Sequence, residues 1–313
     1  MSDVRYTVIN AEEDGQRLDN YLMRILKGVP KSHVYRIIRG GEVRVNKKRA
    51  QPSSRICAGD SIRIPPVRTS PDKDVHVGPR LTARLLDSII YEDDHLLVVN
   101  KPAGIAVHGG SGLSLGVIEA LRQTRTDLPY LELVHRLDKE TSGCLLLAKK
   151  RSMLRAVQAL LAARTVTKTY WALVCHPWEG KKSVTVEVAL EKNTLKSGER
   201  MVRVSEAGKA SMTSFKLLEN YQQSCWVEAM PKTGRTHQIR VHAAYLHHPI
   251  VGDQKYGGQL ALDGIDAKKS RLYLHARAIQ FNLNDKNYMF QADLDERFAE
   301  TLKQLRVRSM RHE

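Results

Sequence analysis

The turn Val134-His-Arg-Leu-Asp-Lys-Glu-Thr-Ser-Gly143 is held between two apolar stretches, Leu131, Leu133 and Val134 before it and Cys144-Leu-Leu-Leu-Ala148 after it. The second stretch reads as a strand leaving the turn, so Asp138 is fixed against a rigid sheet among Arg136, Lys139, Thr141 and Ser142. A carboxylate that works chemically while shielded from water needs a cation to offset the upward pKa shift of burial. Thr233-Gly-Arg-Thr236 opens a later helix, and its Arg235 is the candidate partner. The same residues also fit a structural Asp–Arg pair or a turn cap, and both readings stand at this point.

The chain has 313 residues, 42% hydrophobic and 27% charged, which suits a globular protein of about two domains. No run approaches a membrane span. The first residues lack the apolar core of a signal peptide, so the expected compartment is the cytoplasm. Cys57, Cys144, Cys175 and Cys225 form no C-x-x-C pair, which argues against a zinc site and a disulfide framework. With 50 Lys+Arg against 34 Asp+Glu the net charge is +16, and residues 1–70 alone hold 14 basic and 7 acidic side chains. Such a field attracts polyanions, nucleic acid first among them.

Leu18, Tyr21, Leu22, Ile25 and Leu26 fall on one helical face, and Gly28 and Pro30 end that helix. A second helix over 31–39 buries Val34, Ile37 and Ile38, leaving Lys31, His33, Arg36 and Arg39 for solvent or a ligand. Strands at 43–46 and 61–64 follow, with the basic turn Lys47-Lys-Arg49 between them. Prolines at 65, 66, 71 and 79 mark a linker over 65–87. The pattern then becomes strand-rich α+β. A hairpin joins 89–91 to 96–99, helices are predicted at 113–125, 152–164 and 236–246, and strands near 169–174, 184–190, 200–204, 212–219, 225–230 and 273–281.

Several motifs fail on inspection. The glycines at 109–112 miss both the phosphate-loop and dinucleotide fingerprints, and Ser111 lacks the nucleophile-elbow frame. His135-Arg-Leu-Asp138 has the wrong order for a kinase catalytic loop. His237 and His242 lack zincin spacing, so they read as satisfied or RNA-facing histidines and no metal is expected.

Gln16-Arg17-Leu-Asp19, Lys31-Ser32 and Gly41-Glu-Val-Arg-Val-Asn46 resemble the S4 RNA-binding domain over residues 16–64. That resemblance implies structured RNA as ligand, with Lys31, Arg36, Arg39, Lys47 and Lys48 as candidate contacts. His135-Arg-Leu-Asp-Lys-Glu-Thr-Ser-Gly143 resembles the signature of the RluA-family pseudouridine synthases. Asn100-Lys-Pro-Ala-Gly104, Lys168–Val174, Gly234–His242, Gly252–Gly257 and Leu274-His-Ala276 match the family in order. Taken with the S4-like unit, the chain is similar to the RluC type, which modifies large-subunit (23S) ribosomal RNA.

The resemblance implies a catalytic domain, 88–313, on a mixed, largely antiparallel sheet with flanking helices. It makes Asp138 the catalytic carboxylate, Tyr170 the residue packing against the target base and a candidate acceptor of its C5 proton, and Arg235 the partner of Asp138. Arg136 becomes the arginine that fills the gap left by the flipped nucleotide, with His135 also on the RNA side and Ile239 lining the pocket. The reaction has no net redox change and consumes no water, so no cofactor, metal or membrane is expected, and a monomer is. A transfer RNA substrate and a non-catalytic ribosome-assembly factor are the alternatives. Where the family has Gly-His-Pro this chain has His247-His248-Pro249, which places His247 in a left-handed helix cap.

Overall fold

The computed structural model describes residues 3–26, 28–67, 78–109, 115–194, 200–258 and 271–310. They form two compact units that divide near residue 76.

In the N-terminal unit the helices Leu18–Ile25 and Lys31–Arg39 bury the faces their periodicity predicts, with Leu18, Tyr21, Leu22, Val34, Ile37 and Ile38 at most 1% exposed. Arg17 and the Tyr35 hydroxyl both bond Asp19, a buried carboxylate held below its ordinary pKa by Arg17 first. The expected basic turn is shorter than predicted. Asn46 and Lys47 both take positive φ, so a two-residue turn closes a hairpin in which Lys48–Arg49 is itself a strand paired with Arg44–Val45. Ser61–Ile64 pairs with Arg44–Val45 on one side and with Arg5–Val8 on the other. The Arg5–Val8 strand is short and mostly exposed, and its apolar alternation is too weak to read.

In the C-terminal unit the described residues form an eleven-stranded sheet. Its main path runs Arg200–Val204, Ser183–Thr194, Lys209–Asn220, Ser224–Pro231, Thr167–Cys175, Leu274–Leu283, Ser142–Ala148, Leu96–Lys101, Ile89–Glu92. Neighbours are antiparallel except Ser142–Ala148 with Leu274–Leu283. Ser142–Ala148 is buried along its whole length because both its faces are covered. Leu145 and Leu147 pack with Val117, Ile118 and Leu121 of the helix Val117–Thr124, whereas Leu146 and Ala148 pack with Met153 and Val157 of the helix Arg151–Ala163. Each such leucine contributes about 1.5–3 kcal/mol, which makes this strand a stiff base for the turn before it.

Two segments differ from expectation. The 65–87 stretch is not linker throughout, since Pro79–Leu86 is a helix with Leu85 buried among Leu97, Leu121 and Leu145. Pro79 stands at its first turn, where a missing N–H loses nothing. A C-terminal helix, Glu296–Ser309, is capped by Asp295, whose side chain accepts the Phe298 N–H, and it buries Phe298, Leu302 and Leu305. The spacing i, i+4, i+7 after an Asp is the sequence signal for this helix.

Candidate active site

The backbone of the 134–143 turn is tied down at several points. Val134 N–H donates to the Leu146 carbonyl, and Leu146 N–H donates to His135 Nε2 at 3.1 Å, so the ring clamps the turn to its own strand. His135 therefore has an internal task; burial pushes it down to about 4 and keeps it a neutral acceptor. Thr141 N–H closes the turn on the Asp138 carbonyl. Lys101, fully buried, donates to the carbonyls of Pro102, Ile105 and Lys139 at 2.8–3.0 Å, and Gly104 N–H also reaches Lys139. Burial pushes the Lys101 amine down to about 7, while three carbonyls match the three N–H bonds of an ammonium. The Asn-Lys-Pro-Ala-Gly stretch is thus a cradle beneath the turn.

Behind it, Ser142 Oγ accepts from Arg271 and donates to His275 Nδ1, so His275 presents its Nε2–H to the Ala292 carbonyl. Gly143 has φ 108°, and a Cβ there would stand 2.3 Å from the Ala276 carbonyl oxygen. Only glycine lets the two parallel strands meet at this point.

Asp138, Arg136, Tyr170, Arg235 and Ile239 all line one cavity of about 130 Å³, with Lys168, Thr233, His237 and Arg240. That is close to the roughly 150 Å³ cavity that holds one benzene ring, so a single planar base fits. Ile239 is 7% exposed and forms part of the wall, and Arg136 is exposed at the rim. Tyr170, partly buried, has its phenol pushed up by burial and then by Asp138. Held protonated in the resting site, it offers a ring face and a hydroxyl to the cavity.

Arg235 does not pair with Asp138: its Nε donates to the Ala210 carbonyl at 3.3 Å. The side chains within ion-pair range of Asp138 Oδ2 are Arg240 Nη1 and His237 Nε2, each at 3.8 Å. The reason lies in the helix start. Gln238, buried, accepts Thr233 Oγ1 and the Arg235 N–H and donates to the Met212 carbonyl and Thr213, which pins the loop to the sheet with Arg235 turned aside. The helix Gln238–Tyr245 then presents Arg240, whose Nε and Nη2 also bond both oxygens of the buried Asp253 at 2.7 Å. The expectation from the sequence rested on Arg235 alone; Arg240 lies five residues on in the same motif, and spacing does not give its direction.

His237 has left-handed backbone, φ 54°, a conformation that costs a non-glycine residue on the order of 1–3 kcal/mol. His247 likewise has φ 63°, with His247 and His248 N–H groups bonding the Ala244 and Ala243 carbonyls, the cap expected from the sequence. His242 is buried, with Ser211 Oγ donating to the Val188 carbonyl and accepting from Nε2–H. Among the described residues no cluster of His, Cys, Asp or Glu could hold a metal, and no helix is long and apolar enough to cross a membrane. Of the 109–112 glycines only Gly109 lies within the described residues.

In the N-terminal unit Lys31, Arg36, Arg39, Lys47 and Lys48 are all exposed. Lys31 and Arg39 flank the Tyr35 ring at 5.7 and 5.5 Å, giving one helix face a cation–aromatic–cation row.

Residues 95–245 match the RNA pseudouridylate synthase family, and residues 16–62 match the S4 domain. A Haemophilus influenzae protein named "Ribosomal large subunit pseudouridine synthase C" is 50% identical over 310 residues, covering 97% of this chain and 96% of that one. This chain belongs to the RNA pseudouridylate synthase family. Synthases of the same name from Escherichia coli K12, 50% identical over 97% of each chain, and Salmonella typhimurium, 54% identical over 89% of this chain and 88% of the other, agree. Among solved structures, human RNA Pseudouridylate Synthase Domain Containing 4 has a TM-score of 0.61 at 30% identity, covering 72% of this chain and 96% of its own. The similar human protein Domain Containing 1 has a TM-score of 0.58 at 25% identity, covering 74% and 98%. The pseudouridine synthase fold preceded by an S4 domain thus accounts for the mixed sheet and for the cavity at its turn.

Proposed function

We propose that this protein isomerises specific uridines to pseudouridine in large-subunit ribosomal RNA, with Asp138 as the carboxylate that initiates detachment of uracil. The observation that carries the reading is identity of about 50% along 97% of the chain to synthases named for the large subunit, joined to one carboxylate in a cavity sized for one base. In the reaction the N1–C1′ bond breaks, uracil rotates, C5 bonds C1′, and the proton lost from C5 is matched by one gained at N1. The balance involves no water and no electrons. A carboxylate suits a step that leaves an electron-poor sugar carbon.

The base reaches the cavity by leaving its stack. Tyr170 and Ile239 then sandwich it, Arg136 occupies the space it vacates, and Arg240 stands beside Asp138 as its cation. Lys31, Arg36, Arg39, Lys47 and Lys48 hold RNA phosphates, contacts that weaken as salt rises. The protein acts as a monomer in the cytoplasm during ribosome biogenesis. Mapping pseudouridines in ribosomal and transfer RNA from cells with and without the protein tests the substrate. Sites lost from large-subunit RNA are expected; losses confined to transfer RNA would refute it.

A further inference from the structure

His237 keeps left-handed backbone, φ 54° and ψ 19°, just before the helix Gln238–Tyr245, and its side chain makes no capping bond. Residues at such positions ordinarily have extended backbone and a short polar side chain. An unfavourable conformation persists where the surroundings over-determine it, and here the imidazole is bonded to one group and stands beside another. Nδ1 lies 2.8 Å from Tyr256 Oη, and Nε2 lies 3.8 Å from Asp138 Oδ2. Tyr256 Oη accepts the Val202 N–H at 3.1 Å. Its own proton is free to go to Nδ1, the arrangement that puts the imidazole proton on Nε2, on the side of Asp138.

Arg240 and His237 approach the same oxygen of Asp138, leaving Oδ1 without a side-chain partner among the described residues. We propose that His237, kept in its Nε2–H form by Tyr256, is a positioning residue that orients Asp138 for the isomerisation, and that protonating His237 switches the site off. This role rests on the isomerase reading above. The charged and titratable groups around the ring are Asp138, Arg240, Lys255, Asp253 and Tyr256. Burial lowers the pKa of His237; Asp138 and Asp253 oppose that, while Arg240 and Lys255 reinforce it. Asp253 is already taken by Arg240, so Asp138 is the carboxylate to which a charged His237 turns. An imidazolium there sets two donors against each other at Tyr256 and ties Asp138 into an ion pair, weakening it as a nucleophile or base.

The test uses the full chain and a large-subunit ribosomal RNA fragment, with single-turnover pseudouridine formation followed between about pH 5 and pH 9 and RNA affinity measured alongside. His237→Ala is expected to slow the chemical step about 10- to 100-fold with RNA affinity unchanged. His237→Gln, whose amide still donates, recovers part of the rate and loses the acid limb of the profile. Tyr256→Phe keeps the imidazole but removes the donor that favours its neutral form, so the acid limb moves to higher pH. An active wild type beside a His237→Ala rate within about 2-fold of it, or a Tyr256→Phe profile superimposing on wild type, overturns this role alone. A wild type that forms no pseudouridine in any ribosomal RNA overturns the isomerase reading and this role with it.

Discussion

Arg240 Nη1 stands 3.8 Å from Asp138 Oδ2 while the rest of its guanidinium is committed to Asp253. A cation so held cannot follow Asp138 if the carboxylate moves. The pair is therefore a fixed field under the turn, and Asp253, 1% exposed, is what fixes it.

Removing Arg240 leaves that carboxylate buried and unpaired. Arg240→Met is expected to lose about 3–5 kcal/mol in urea unfolding and to abolish isomerisation. Arg235→Ala, which gives up one bond to the Ala210 carbonyl, should lose about 1 kcal/mol or less. Equal losses for the two would return Arg235 to the role the sequence suggested.

Acid should destabilise the fold through its buried histidines. His242 and His275 are fully buried and pushed down to about 4 by burial. Between their ordinary value of 6.5 and about 4 the unfolded chain binds more protons than the folded one, so stability falls as pH falls through that window and is flat above it. Each contributes on the order of 1–3 kcal/mol. Unfolding midpoints at neutral and acid pH measure this; His242→Gln, which still donates to Ser211, should flatten the dependence. An undiminished acid loss in that variant would exclude His242 as a source.

Gly143→Ala places a methyl 2.3 Å from the Ala276 carbonyl oxygen in a backbone with φ 108°. Backbone atoms cannot yield cheaply there. We expect a loss of more than about 2 kcal/mol together with a slowed chemical step, because the same strand carries the turn of Asp138. A variant as stable as wild type would mean the strands separate more freely than their packing implies.

The parts legible in the sequence are those set by local pattern. Apolar periodicity placed the helices Leu18–Ile25, Lys31–Arg39 and Arg151–Ala163, and the run after Gly143 gave the central strand. The left-handed cap at His247 was legible because His-His-Pro stood where glycine suits the backbone. Illegible were features decided by direction in space. Arg235 and Arg240 are both in the same motif, and only the bonds of Gln238 turn one away and the other inward. The bond from Leu146 N–H to the His135 ring is a contact across the turn that no spacing rule encodes.

His247 is exposed with φ 63°. Replacing it by glycine relieves the steric penalty of a Cβ in that region, partly offset by the entropy of the unfolded chain, for a net gain of about 0.5–1 kcal/mol. Thermal unfolding measures it, and a drop in midpoint would mean the histidine side chain stabilises the cap.

The role of Asp138 is tested most directly by Asp138→Asn in the full chain, with release of tritium from uracil C5 in large-subunit ribosomal RNA as the readout. The exchange removes the charge and keeps the shape of a side chain 24% exposed at the cavity wall. Folding and RNA affinity should remain close to wild type while tritium release stops. Release at a near-wild-type rate would contradict the assignment of Asp138 as the carboxylate on which the isomerisation depends.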